Sequence, residues 1–205
     1  MIKFYYFSLS GHSHRVELML NLLGLDYEPI EVNLAKGEQK SEDFIAKNPF
    51  GTVPVIEDGD DTIADSNAIL VYLARKYGGE AWLPSDPAQA AAIQGWLSIA
   101  AGKIAYGPAA ARLVTVFGAS LDHEAAKATA DALFSVMDNV LSGREFLTGK
   151  APTIADVAGY SYIAHAPEGG VSLDPYPNIR AWLGHIKSLD GFVPMPETKA
   201  GLLAA

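Results

Sequence analysis

The sequence predicts two domains of different class: a small mixed four-stranded sheet with helices over residues 1–78, and an all-helical domain over 88–205, joined by a linker at 79–87. Three observations point there. Apolar patterning up to residue 78 runs strand, helix, strand, helix, strand, strand, helix, the order of a mixed sheet with helices packed on it. Leu83-Pro84-Ser85-Asp86-Pro87 then has the proline and turn content of an interdomain boundary. Beyond it the chain is alanine-rich with helical spacing and no convincing strand.

Residues 4–7 are short, aromatic and apolar, which suits a buried strand, and Ser8-Leu9-Ser10-Gly11 forms the following loop. From His14 onward Val16, Met19, Leu20 and Leu23 recur at helical spacing, with Gly24 as the stop. Residues 27–34 alternate as a second strand, 41–47 form a short helix, 53–57 a third strand and 62–64 a fourth. Asp58-Gly59-Asp60-Asp61 is the hairpin turn between the last two. Helical periodicity returns over 66–77 and ends at Gly78-Gly79. In the second domain Thr153-Ile154-Ala155-Asp156 places an N-cap hydroxyl and an N3 carboxylate at the start of an apolar helix. Another helix opens at Tyr176-Pro177 and runs through Trp182 and Ile186 toward Gly191.

Composition removes several classes of function. A chain of 205 residues with 49% hydrophobic and 19% charged content is globular rather than disordered. Net charge is −9 and the basic residues are scattered, so nothing neutralises a row of phosphates and nucleic acid is not an expected partner. The absence of cysteine excludes disulfides, thiolate metal sites and a cysteine nucleophile, so any thiol chemistry must come from a ligand. The apolar stretch over 88–116 is interrupted by Gln94, Lys103 and Arg112, which makes it a buried helical region rather than a membrane span. With no basic leader ahead of Ile2-Lys3-Phe4, a cytoplasmic protein is expected. His12 and His14 have only Glu17 nearby, too few ligands for zinc.

The most informative stretch is Asn48-Pro49-Phe50-Gly51-Thr52-Val53-Pro54-Val55-Ile56, followed by Asp65-Ser66-Asn67-Ala68-Ile69. Proline in a strand-like run belongs at a strand end or edge. A cis Val53-Pro54 bond would leave the Val53 amide and carbonyl unpaired and facing outward, where an extended small peptide can hydrogen-bond to them as an added strand. Asp65-Ser66 opens a helix, whose N-terminal amides favour an anion.

Together, Asn48 to Val55, Asp65-Ser66 opening a helix with Ala68-Ile69-Leu70-Tyr72-Leu73, and Thr153-Ile154-Ala155-Asp156 resemble the cytosolic glutathione transferases, in particular bacterial, serine-type members of the theta, zeta and phi kind. The resemblance covers nearly the whole chain. It implies a thioredoxin-like N-terminal domain lacking thiols, an all-helical C-terminal domain, glutathione as co-substrate, an apolar electrophile bound against the second domain, and a homodimer. Carried over residue by residue, it implies that the Val53 backbone pairs with the cysteinyl part of glutathione and that Pro54 is the cis-proline exposing it. Asp65 would meet the γ-glutamyl amino group and Ser66 its carboxylate, and Gln39 or Lys40 the glycyl carboxylate. Arg15-Val16 anchors the comparison for the thiol-activating residue: counting back from that arginine favours Ser10, while other serine-type classes place the hydroxyl where this chain has Gly11. Ser13, Ser8, Tyr6 and a backbone amide remain open alternatives. Tyr106, Phe117, Ala110 and Val114 fall where relatives line the electrophile pocket, although an aromatic on a helix is more often core. Glutathione conjugation is the expected activity, with a glutathione-dependent isomerase, a disulfide reductase and a non-catalytic binding or regulatory protein as alternatives.

Overall fold

The computed structural model describes residues 1–204. Strands β1 (Ile2–Tyr6), β2 (Tyr27–Glu31), β3 (Val55–Asp58) and β4 (Asp61–Ala64) form one sheet in the order β2-β1-β3-β4. β1 and β2 are parallel, because helix α1 (Gly11–Leu22) carries the chain back across the sheet between them. β3 lies antiparallel to β1, and β4 to β3, with Asp58 opposite Asp61 closing the hairpin through Gly59 at φ 65°. α1 and α3 (Ser66–Leu73) pack together on one face of the sheet, where Phe4, Val16, Leu20, Ile56 and Ile69 are buried. The short α2 (Glu42–Lys47) covers a smaller cluster of Val32, Phe44 and Val55.

Several boundaries differ from the sequence expectation, β1 among them, which spans Ile2–Tyr6 rather than 4–7. α1 begins at Gly11 rather than His14, because Ser10 caps it, its Oγ accepting the Ser13 amide at 3.2 Å. β2 stops at Glu31, since Asn33 caps a 3-10 turn at Leu34–Lys36. β3 begins at Val55, which leaves Val53 and Pro54 outside the ladder. The helix expected over 66–77 is α-helical only to Leu73 and finishes as a π-helical turn at Ala74–Gly78. A single helical turn, α4 (Gly79–Trp82), then occupies part of the 79–87 stretch.

The second domain begins with α5 (Pro87–Ile99), capped by Asp86, whose Oδ1 accepts the Gln89 amide at 2.9 Å, with proline at the first helical position. Its path continues through a π-helical segment, Ala100–Ala109, that bends at Gly107 ahead of Pro108. A Cβ on Gly107 would stand 3.1 Å from the Ala130 backbone nitrogen, so glycine there lets this segment lie against α7 (His123–Leu141). α6 (Ala110–Phe117), α8 (Ile154–Ala164) and α9 (Pro177–Lys187) complete the bundle. No described helix is long and apolar enough to cross a membrane.

α8 is the axis of the molecule: every residue from Ile154 to Ile163 is buried, and it packs on α1 and α3 of the sheet domain as well as on α5. Its start is the capping box expected from Thr153 and Asp156. The Asp156 carboxylate accepts the Thr153 amide at 2.9 Å, and also the Leu147 amide at 2.8 Å and the Trp182 indole N–H at 2.9 Å. Because α8 spans both domains, its C-terminal end delivers Tyr162 to the N-terminus of α1.

Candidate active site

A cleft of about 800 Å3 separates the two domains. On the sheet side it is lined by Ser10, Gln39, Lys40 and Val53, and on the helical side by Tyr106, Leu113 and Phe117 among alanines. One wall therefore offers polar and main-chain groups while the other is apolar, the usual make-up of a small-molecule site.

The Val53-Pro54 peptide bond is cis. Neither the amide nor the carbonyl of Val53 is engaged in a hydrogen bond among the described residues, and Val53 lines the cleft. Asn48, almost fully buried, holds the preceding turn by donating to the Thr52 carbonyl at 2.7 Å. Gly51, at φ 59°, admits Lys40 beside it, since a Cβ there would lie 2.7 Å from the Lys40 Nζ. Lys40 donates to the Phe50 carbonyl at 3.3 Å, and Gln39 to the Leu34 carbonyl at 3.4 Å, leaving the buried Gln39 Oε1 without a partner.

The four side chains that compete for the thiol-activating role are separated by the structure. Ser8 donates its hydroxyl to Glu31 at 2.9 Å. Ser13 is 1% exposed and accepts the Phe7 amide at 3.2 Å. Tyr6 stacks on Phe4, with ring centroids 5.2 Å apart, and its phenol is pushed up by burial and by Glu31 and Glu17. Of the four, Ser10 is the one that lines the cleft, and it does so at the positive end of a 12-residue helix.

Asp65 and Ser66 stand at the start of α3 and are not among the residues lining the cleft. Asp65 adopts φ 71°, the one non-glycine residue with positive φ among those described, and its Oδ1 accepts the Asn67 and Ala68 amides at 2.9 and 3.0 Å. Such backbone strain collects at functional positions. The Ser66 hydroxyl accepts from Arg15 Nη1 at 2.9 Å and meets His12 Nδ1 at 3.2 Å. Ala110 faces a separate shallow pocket, shared with Leu121 and Ala125, and Val114 lines neither.

Two buried cations flank the start of α1. Arg15 is 1% exposed, donates to Ser66 and to Asn67 at 2.8 Å, and keeps Nε and Nη2 without partners. Burial lowers its pKa to about 10, with Tyr162 and Asp65 opposing, so it stays charged near neutrality. Arg112 reaches across from α6 to donate to the Leu9 carbonyl at 2.8 Å, one residue ahead of Ser10, while its Nε donates to the buried Glu168 at 2.7 Å. Nothing in local spacing marks Arg112, Glu168 or Tyr162 as neighbours of Ser10, because each lies more than a hundred residues away in sequence.

The two histidines are held neutral. Burial, then the Arg15 charge, lowers His12 to about 3, although Asp65 opposes this. Burial lowers His14 to about 4, the Val193 carbonyl that its Nε2 meets at 2.9 Å opposing and His165 adding to the shift. Both folded values lie below the 6.5 of an unfolded histidine, so between pH 6.5 and 4 the unfolded chain binds protons that the folded chain refuses. Stability is therefore expected to fall as pH drops through that window, each group contributing up to about 1.4 kcal/mol per pH unit. Urea unfolding measured from pH 7 to 4 tests this, with His14→Asn flattening the slope.

Residues 2–75 match the family profile described as Glutathione S-transferase, N-terminal domain, and residues 102–190 that described as Glutathione S-transferase, C-terminal domain. The probable glutathione S-transferase GSTF2 of Oryza sativa subsp. japonica is 31% identical over 88% of this chain and 89% of its own. The chain belongs to the glutathione S-transferase family. A crystal structure of glutathione S-transferase from Pseudomonas fluorescens Pf-5 superposes with a TM-score of 0.90 at 34% identity, covering 96% of this chain and 99% of that one. The zeta-class glutathione S-transferase of Euphorbia esula is 51% identical over 85 residues, which span 42% of this chain and 38% of that protein. The sheet domain is thus the thioredoxin-like half of a glutathione transferase, the helical domain is its second half, and the protein is a transferase that conjugates glutathione, its co-substrate.

Proposed function

We propose that Ser10 donates its hydroxyl to the glutathione thiolate, which then attacks the electrophilic carbon of an apolar compound held against Tyr106, Leu113 and Phe117 and forms a thioether. The carrying observation is that Ser10, alone of Ser8, Ser10, Ser13 and Tyr6, lines the interdomain cleft at the N-terminus of α1. A free thiol of this kind has a pKa of about 8.5, so it is mostly protonated near neutrality and gains from any group that stabilises its anion. Helix amides, a hydroxyl and the Arg15 and Arg112 charges all act in that sense.

In this reading glutathione lies extended along the sheet side. Its cysteinyl backbone pairs with the amide and carbonyl of Val53, which Pro54 leaves outside the ladder. Asp65 receives the γ-glutamyl ammonium on the carboxylate oxygen not used as the helix cap, and Ser66 with the first amides of α3 receives its carboxylate. Lys40 and Gln39 take the glycyl carboxylate at the other end, Lys40 as a point charge and Gln39 by hydrogen bonding. The enzyme works in the cytoplasm and as a homodimer; the dimer is supported by Phe50, which is 84% exposed next to the Gly51–Val53 wall.

Ser10→Ala is expected to raise the pKa of the bound thiol and to lower kcat for a generic aryl halide by ~10- to 100-fold, with glutathione binding nearly intact. Thiolate absorbance against pH and calorimetric titration with glutathione check the two halves; an unchanged thiol pKa would remove Ser10 from the role. The 51% identity with a zeta-class relative favours glutathione-dependent isomerisation as the second reading. Turnover of a cis-enone with glutathione regenerated, in place of aryl halide conjugation, would establish it. Capture on immobilised glutathione with no turnover would instead indicate a binding protein.

A further inference from the structure

We propose that Tyr162 is a second catalytic hydroxyl: its phenol crosses from the helical domain to the N-terminus of α1 and, together with Ser10, hydrogen-bonds the glutathione sulfur. This rests on the reading that the sulfur lies at Ser10.

The geometry begins with Gly11. A Cβ on residue 11 would stand 2.8 Å from Cε1 and Cζ of Tyr162 and 3.0 Å from its Cδ1, so the phenol fills the space that any side chain there would take. Cζ carries the hydroxyl, which is therefore placed beside the first residue of α1. The ring also packs edge-on against His12, centroids 5.0 Å apart, and Tyr162 lines the same cleft as Ser10 although the residue is only 6% exposed. It is held on α8, a helix buried along its length, so its position does not depend on a mobile loop. A donor fixed before the charge forms stabilises that charge without reorganisation.

The surroundings fix which way the phenol acts. Burial pushes its pKa up, against the Arg15 and Arg112 charges, the His12 amide and the Ser10 hydroxyl, which all favour the anion. It therefore keeps its proton near neutrality. A phenol hydroxyl both donates and accepts, and at the wall of the cleft the Tyr162 proton is available to an acceptor bound beside Ser10. The thiol proton passes to solvent, the sulfur lone pair forms the new carbon–sulfur bond, and the departing group takes the bonding pair. Throughout, the phenol O–H is a donor and is not consumed.

The decisive comparison uses Ser10→Ala, Tyr162→Phe and the double variant, with glutathione and a generic aryl halide. Phenylalanine keeps the ring against Gly11 and His12. Tyr162→Phe is expected to raise the bound-thiol pKa by about half to one unit and to lower kcat at neutral pH about 3- to 10-fold, with glutathione affinity within twofold. The double variant should exceed either single one. A shift in Ser10→Ala with none in Tyr162→Phe overturns this proposal and leaves the role of Ser10 standing; a shift in neither overturns both. Lost glutathione affinity at an unchanged thiol pKa also overturns it, since that is a packing effect. If Tyr162→Phe lowers the helical circular dichroism, 3-fluorotyrosine at position 162 replaces it as the probe. Its more acidic phenol is expected to lower the thiol pKa, and no change there counts against the proposal.

Discussion

Glu168→Gln is expected to lower the unfolding free energy by about 3–5 kcal/mol, because it removes one partner of a buried ion pair and leaves the other charged. The Glu168 side chain has no exposed surface and accepts from Arg112 Nε at 2.7 Å, Thr198 Oγ1 at 2.7 Å and the Thr198 amide at 3.2 Å, with His165 Nδ1 on its second side. Burial alone would push its carboxyl up; the bonds from Thr198 and His165 and the Arg112 charge overcome this and hold it below the usual carboxylate range. In the glutamine variant an N–H replaces one acceptor, and Arg112 is left without a counter-charge at the same depth. Urea unfolding followed by circular dichroism should show the loss, which for a chain of this size corresponds to a drop in Tm of about 10 °C. Activity should fall too, because Arg112 also holds the Leu9 carbonyl next to Ser10. Arg112→Met combined with Glu168→Gln should cost less than the sum of the two single variants. Additive losses would show that the two groups do not act as a pair.

Asp156→Ala has an expected cost of similar size. Alanine cannot accept, so the Leu147 amide, the Thr153 amide and the Trp182 indole N–H each lose a partner in an environment where the carboxylate is 1% exposed. An unsatisfied buried donor costs about 1–3 kcal/mol, and three of them together place the loss at about 3–5 kcal/mol after relaxation. The effect should reach beyond the helix start, since Trp182 is the largest fully buried side chain and sits on α9. Asp156→Asn, which keeps one acceptor oxygen, should fall between wild type and alanine in the same unfolding assay. Equal stability of all three would mean the bonds contribute nothing net.

The fold was legible where short-range chemistry decides it. The order of strands and helices follows from apolar period, and the Thr153–Asp156 capping box is readable because its two residues are three apart. The cis bond at Val53-Pro54 could be anticipated because only proline makes it inexpensive. What escaped local reading depends on tertiary context. The π-helical stretch over Ala100–Ala109 has no pattern distinct from an ordinary helix until Pro108 meets the crowding against α7. Asp156 read as a cap, yet half its bonds go to Leu147 and Trp182. In the site, the family resemblance named Val53, Ser10, Gln39 and Lys40, which meet in one cleft, and also Asp65 and Ser66, which do not line it. Tyr162 and Arg112 could not be named, because helical spacing marks such residues as core and says nothing of which distant loop they touch.

The contact between Gly11 and Tyr162 also constrains how this chain can change over time. Any residue larger than glycine at position 11 collides with the aromatic ring, whereas a smaller residue at position 162 creates no such conflict. Descendants of this sequence can therefore acquire a side chain at the first site only after the second has shrunk. The order of the two substitutions is set by the shape of the molecule.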